Sequence, residues 1–73
     1  MFNRNLGEFL YMNNEFQKEE IAAALIRAYT RGEDIEQASV QHRAAASVNC
    51  NLDDFSNKDL EDIKRLVLKK ILH

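Results

Sequence analysis

The sequence predicts an all-α protein, a small three- or four-helix bundle completed by oligomerisation. Residues 16–31 and 57–72 each carry apolar side chains at helical spacing behind a capping pattern, and the 73 residues include no proline. A chain this short buries only about 60% of the surface that its unfolded form exposes, so a partner that covers more surface would stabilise it. We interpret residues 1–73 as a single helical domain.

The first segment, residues 1–13, has two interpretations. Its apolar residues follow the i, i+4, i+7, i+8 stripe of an amphipathic helix: Phe2, Leu6, Phe9 and Leu10. Gly7 and the neighbouring asparagines weaken that helix, because both residue types have low helix propensity. The alternative is an extended arm in which residues 8–12 form a short strand, ordered by a neighbouring subunit.

The next helix is predicted to begin at Asn14, whose side chain can cap it while Gln17 reaches back from the third position. Its apolar residues share one face: Ile21, Ala22, Leu25, Ile26, Ala28 and Tyr29. Gly32 is predicted to end it, because glycine readily takes the left-handed conformation that follows a last helical turn.

A third helix is predicted from Asp34, with Gln37 at the third position, to about residue 48. One face carries mostly small residues: Ile35, Ala38, His42, Ala45 and Ala46. Small residues permit close approach of a second helix. This face is therefore either crowded in the centre of the bundle or a shallow groove for a partner helix.

The last helix is predicted to start after Ser56, with Asp59 at the third position. Its core stripe consists of Leu60, Ile63, Val67 and Ile71, with Leu66 on the flank. Leu68 and Leu72 form a second apolar ridge about 100° away around the helix. Since one core cannot easily cover both stripes, the ridge is covered either by the N-terminal segment or by another chain.

These surfaces favour a non-catalytic protein-protein interaction module that acts as an adaptor, inhibitor or regulatory subunit. We expect it to form a homodimer, to bind a larger protein, or to do both. The predicted partner-binding residues are Leu66, Leu68 and Leu72, flanked by Lys69 and Lys70, with Phe2, Phe9 and Tyr11 if the arm reaches across. Aromatic anchors tend to concentrate binding energy. Basic residues at the end of the last helix also suit its dipole or an acidic partner.

The alternative function is a helix-turn-helix-like DNA-binding regulator, in which the third helix reads the duplex. The residues available for base or phosphate contacts are Gln37, Ser39, Gln41 and Arg43. Glu33, Asp34 and Glu36 gather at the N-terminal end of that helix, where phosphate contacts are usually made. The net charge of −2 also argues against covering phosphates, so nucleic acid is not the expected partner.

No motif predicts catalysis, a metal site or a cofactor. The odd-numbered positions from Asn49 to Asn57 resemble a calcium loop in spacing, but the required glycine and bidentate glutamate are replaced by Asp54 and Leu60. The single cysteine, Cys50, excludes an intrachain disulfide. Without a convincing signal peptide or a bilayer-length apolar run, we expect a cytoplasmic protein with a reduced thiol and no membrane contact.

Overall fold

A computed structural model describes the backbone of residues 2–72 and the side chains of residues 15–72. The chain forms three α-helices: α1 (Phe2–Thr30), α2 (Ala38–Ser47) and α3 (Asn57–Ile71). A short 3-10 turn (Leu52–Asp54) precedes α3, and no strand occurs between residues 2 and 72. The predicted all-α class with three helices is therefore confirmed.

Helix α1 is longer than predicted, because its backbone continues through Asn14 without a break. The predicted cap at Asn14 is therefore wrong, and so is the alternative of an extended arm over residues 8–12. Each asparagine costs only a few tenths of a kcal/mol relative to a good helix former. A break would instead leave several backbone groups without helical partners. The side chains of Phe2, Phe9 and Tyr11 lie outside the described residues.

Gly32 ends α1 as predicted. Its φ of +89° lies in the left-handed region. The Gly32 amide donates to the Tyr29 carbonyl at 2.9 Å, and the Glu33 amide donates to the Ala28 carbonyl at 3.0 Å. These two bonds form the Schellman arrangement that satisfies the last carbonyls of a helix.

The start of α2 differs from the prediction. The Asp34 carboxylate accepts a bond from the Glu36 amide at 3.0 Å, and the Asp34 carbonyl accepts one from the Gln37 amide at 3.1 Å. Asp34 thus closes a separate turn, and α2 begins only at Ala38. Gln37 is the N-cap residue, and its side chain makes no capping bond. Asx turns of this kind compete with helix initiation, which explains the shift.

Two side-chain caps lead into α3. The Asn51 side chain accepts a bond from the Asp53 amide at 3.0 Å, at the start of the 3-10 turn. The Ser56 hydroxyl then accepts a bond from the Asp59 amide at 3.1 Å, so the predicted cap of α3 is confirmed. Asn49, with φ of +62°, ends α2 in the same left-handed way as Gly32 ends α1.

The core lies between α1 and the other two helices. Its buried side chains are Ile21, Ala22, Ala24, Leu25, Ala44, Ala45, Ile63 and Val67. Gln17 lies beside Ala46 and Cys50, so the end of α2 returns to the first described side chains of α1 and the two helices are antiparallel. Ile21 is completely buried, which makes it the best-covered side chain of α1 among residues 15–30.

The buried face of α2 differs from the predicted small-residue face. Val40, Ala44 and Ala45 are buried, whereas Ala38 and His42 are exposed. Val40, Ala44 and the half-buried Val48 recur every four residues, and together they offer more apolar area than a row of alanines. The larger apolar residues therefore decide which face of α2 packs inward.

Candidate interaction surface

Two leucines are exposed at the C-terminal end of α3, Leu68 within the helix and Leu72 as its C-cap residue. Leu68 is 52% and Leu72 is 81% exposed, although Ile63 and Val67 of the same helix are buried. The two leucines are four residues apart, so they are neighbours on one side of α3. We call this pair the leucine ridge. No side chain among residues 15–72 covers it. The predicted cover by the N-terminal segment falls on residues 1–13, whose side chains lie outside the described residues.

Cationic side chains line the ridge. Arg65 and Lys69 form a shallow groove together with Leu68 and Leu72. Both cations are exposed, and the ion pair that Arg65 makes with a described residue is a long contact of 3.4 Å to Asp62. The ridge is therefore an apolar surface with a positive rim.

Leu66 and Lys70 do not share this surface. Each lies two residues from Leu68, which places it about 200° around the helix from that leucine. Leu66 is half-buried and packs against the core, while Lys70 is exposed outside the groove. The structure thus brings Leu68, Lys69 and Leu72 together from the predicted set, and it adds Arg65.

A second exposed apolar residue lies on α1. Phe16 is 57% exposed, and Glu19 and Glu20 follow it at the i+3 and i+4 positions. Glu19 is exposed and Glu20 is half-buried. Because such spacing places side chains on one side of a helix, the aromatic ring has an acidic surround. We call these three residues the Phe16 face.

The largest concentration of charge lies between α1 and α3. The Lys18 side chain is only 4% exposed, and its ammonium contacts Glu15 at 3.0 Å, Asp62 at 3.0 Å and Asp59 at 3.3 Å. A buried ammonium needs such partners, because burial without them is costly. Lys18 therefore links α1 to the first half of α3.

These contacts change the acid-base behaviour of both partners. Burial acts to lower the pKa of Lys18, but hydrogen bonds to Glu15, Asp62 and Asp59 outweigh it and raise that pKa above its ordinary value. The hydrogen bond from Lys18 lowers the pKa of the Asp62 carboxyl. Both shifts favour the charged forms, so Lys18 and Asp62 form an ion pair near neutral pH.

Sequence reasoning missed Lys18, although a signal was present. Lys18 precedes Ile21, Ala22 and Leu25 by three, four and seven residues, which is the spacing of one helix face. Its position on the apolar face of α1 indicated burial. The two aspartates that would meet it lie on a distant segment of the sequence, and no local pattern pairs them with Lys18.

The residues considered for DNA contact are partly engaged within the chain. The side-chain amide of Gln41 donates a hydrogen bond from Nε2 to the Ile35 carbonyl at 2.9 Å. Arg43 forms an ion pair with Glu33, whose carboxylate also contacts Arg31. Gln37 and Ser39 are exposed. Reading a base would therefore require Gln41 and Arg43 to leave their present partners.

Cys50 lies in a shallow depression at the end of α2. Its thiol donates to the Val48 carbonyl at 3.5 Å. Burial, with a smaller contribution from the Glu20 carboxylate, raises the pKa of this thiol. Such a thiol is a weak nucleophile at neutral pH. Among residues 15–72, no group of three or more side chains is arranged to hold a metal ion.

Comparisons with protein families, with curated proteins and with solved structures find no match to this chain. Within the described part of the chain, no helix combines the length and apolar character that a membrane span requires. Among the described residues, the leucine ridge, the Phe16 face and the ion pairs of Lys18 are the features that bear on function.

Proposed function

We propose that this protein is a non-catalytic protein-protein interaction module that acts through the leucine ridge, with a second copy of itself as its first partner. The observation that carries the proposal is the exposure of Leu68 and Leu72, at 52% and 81%, beside the buried Val67. Two adjacent exposed leucines on an ordered helix provide an apolar surface for a partner. In the role of adaptor, inhibitor or regulatory subunit, the module works in the cytoplasm, where its single thiol stays reduced.

The size of the ridge sets the expected strength of binding. Full burial of one leucine side chain contributes roughly 1.5–3 kcal/mol. A twofold assembly that covers both leucines of each copy therefore gains somewhat less than about 10 kcal/mol, because the side chains begin partly covered. Association also costs at least about 4 kcal/mol in lost freedom. Micromolar or weaker self-association is expected from the ridge alone, with further strength from the charged rim.

The first experiment is the solution mass by light scattering after size exclusion, over a series from about 5 µM to about 1 mM, which brackets the expected affinity. We expect the mass to rise from monomer toward dimer. The variant Leu68→Ser/Leu72→Ser is expected to remain monomeric with an unchanged helical circular dichroism spectrum, because it removes only the apolar contact.

Tyr29→Ser is a matched control, since Tyr29 is 49% exposed and does not line the groove. It should associate as the unmodified protein does. A mass that stays monomeric across the series would contradict the proposal. Equal association of the double serine variant and the unmodified chain would place the interface elsewhere.

A further inference from the structure

The charges of this chain are segregated. Four of its ten Lys and Arg residues lie within residues 64–72, and none of its twelve Asp and Glu residues lies there. The ridge therefore lies in a basic segment, whereas the rest of the sequence carries all twelve acids and only six of the ten bases. A protein with this distribution carries both halves of an electrostatically complementary contact.

The Phe16 face carries acidic side chains beside an apolar group, whereas the leucine ridge carries basic ones. Phe16 is 57% exposed and offers an aromatic ring to a leucine pair. Glu19 and Glu20 supply carboxylates one turn away. The only cation within residues 15–26 is Lys18, which is buried and already bound to three carboxylates. No exposed cation in that stretch competes with an incoming basic side chain.

Contact between two ridges is the simplest alternative, and charge disfavours it. Pairing Leu68 with Leu72 of a second copy brings Arg65 and Lys69 toward the same cations of that copy. No acid occurs within residues 64–72 to separate them. Like charges across an interface oppose association, so ridge-to-ridge contact is repulsive at its rim.

We infer that the leucine ridge of one copy docks on the Phe16 face of a second copy, with Arg65 and Lys69 facing Glu19 and Glu20. This inference rests on the proposed function and specifies what the ridge binds. Apolar contact between the leucines and Phe16 forms the centre, and the opposite charges form the rim. If each copy uses both surfaces, the two contacts are related by a twofold axis and close a dimer.

Charge reversal at two exposed residues tests the inference. The two variants are Glu19→Lys and Lys69→Glu. In the homodimer of either variant, the substitution replaces an attractive charge pair with a repulsive one, and it does so in both contacts. Each variant alone is expected to dimerise about tenfold or more weakly, because rim charge pairs of this kind affect affinity to that order.

An equimolar mixture of the two variants makes the decisive measurement. One contact of the mixed dimer is unmodified, and the other contains both reversed charges, which again attract each other. We expect the mixture to recover the dissociation constant of the unmodified protein to within about threefold, while the separate variants do not, since reversed pairs restore complementarity.

Glu36→Lys is the matched control, because it makes the same charge change at an exposed acid outside the Phe16 face. It should leave dimerisation near the unmodified value, and Phe16→Ser should weaken it. If the mixture shows no recovery while Leu68→Ser/Leu72→Ser still abolishes dimerisation, the inference fails and the proposed function stands. A monomeric unmodified protein would remove both.

Discussion

The two halves of α3 reverse the usual relation between residue type and burial. In the first half, Asp59 and Asp62 meet a lysine that is 3% exposed. In the second half, Leu72 is 81% exposed. Both halves share one buried stripe, represented by Ile63 and Val67. What differs is the flank of the stripe: α1 covers it in the first half with Lys18, and no described residue covers the leucines in the second.

This difference separates two roles within one helix. The first half contributes to the stability of the single chain, because its ion pairs join α1 to α3. In the second half, Val67 still belongs to the core, whereas the exposed Leu68 and Leu72 contribute little to that stability and are the residues that the proposed function uses. Under the proposed function, the same fifteen-residue helix serves folding through its buried stripe and binding through the leucine ridge. Substitutions at the two ends should accordingly affect different measurements.

The largest effect on stability is expected from Lys18→Met. Methionine fills a similar volume but leaves Glu15, Asp59 and Asp62 close together without their cation. Loss of one partner of a fully buried pair costs roughly 3–5 kcal/mol, and the partial exposure of these carboxylates reduces that to about 2 kcal/mol. Urea unfolding, followed by circular dichroism at a concentration where the chain is monomeric, measures the change.

Lys64→Met is the control for that variant, because Lys64 is an exposed lysine on α3. Its free energy of unfolding should stay within about 0.5 kcal/mol of the unmodified value. Equal effects of the two substitutions would show that the buried ion pairs contribute nothing to holding the first half of α3 in place.

An intermediate effect is expected from pH. The pKa of Asp62 is lowered below its ordinary 3.8 in the folded chain, so the stability from this carboxylate is complete above that value and is lost as pH falls through the folded pKa. The pKa of Lys18 is raised above its ordinary 10.5, so its contribution is complete below that value and is lost only at higher pH. The ion pair between Lys18 and Asp62 is therefore fully effective across the neutral range.

The acid side provides the measurement. Between about pH 5 and about pH 3, the free energy of unfolding should fall in the unmodified protein and fall less in Asp62→Asn, which has no carboxylate to titrate at that position. In Lys18→Met the slope should become shallower still, because protonation then relieves repulsion among three carboxylates. A steeper acid loss in Lys18→Met than in the unmodified chain would contradict this account of the cluster.

The smallest effect on stability is expected at the ridge. Leu68→Ser/Leu72→Ser should lower the free energy of unfolding of the monomer by only about 1 kcal/mol, since Leu72 is largely in water and Leu68 is about half covered. Urea unfolding at low micromolar concentration separates this result from any loss of dimer. A large loss of monomer stability would mean that the leucines belong to the core.

Local patterns accounted for much of this structure. Ser56 and Gly32 were identified from capping chemistry alone, because an N-cap hydroxyl and a left-handed glycine act within a few residues of the helix end. The core stripe of α3 through Ile63 and Val67 and the separate ridge through Leu68 followed from helical periodicity. Each of these predictions depends on neighbouring positions only, which is why sequence sufficed.

The remaining features depend on free-energy differences or contacts that periodicity does not contain. Asn14 resembled a helix start, but continuation of α1 through it costs only tenths of a kcal/mol. Lys18 is buried because two aspartates arrive from a segment more than forty residues away, at sequence separations of 41 and 44. The Phe16 face was missed because the sequence does not show that Phe16 is exposed, and a single aromatic residue beside acids is common in helices.

The position of Cys50 makes the rate of its chemical labelling a measure of the local structure at the end of α2. Its thiol is half-buried at the end of α2, and its pKa is raised by burial and by Glu20. An alkylating reagent modifies thiolate, so partial burial and the raised pKa slow its reaction with the folded chain. Local opening of the end of α2 would speed the reaction, and the labelling rate is therefore expected to respond to changes that loosen that end. Since Cys50 is the single cysteine of the chain, each labelled molecule carries the label at this one position.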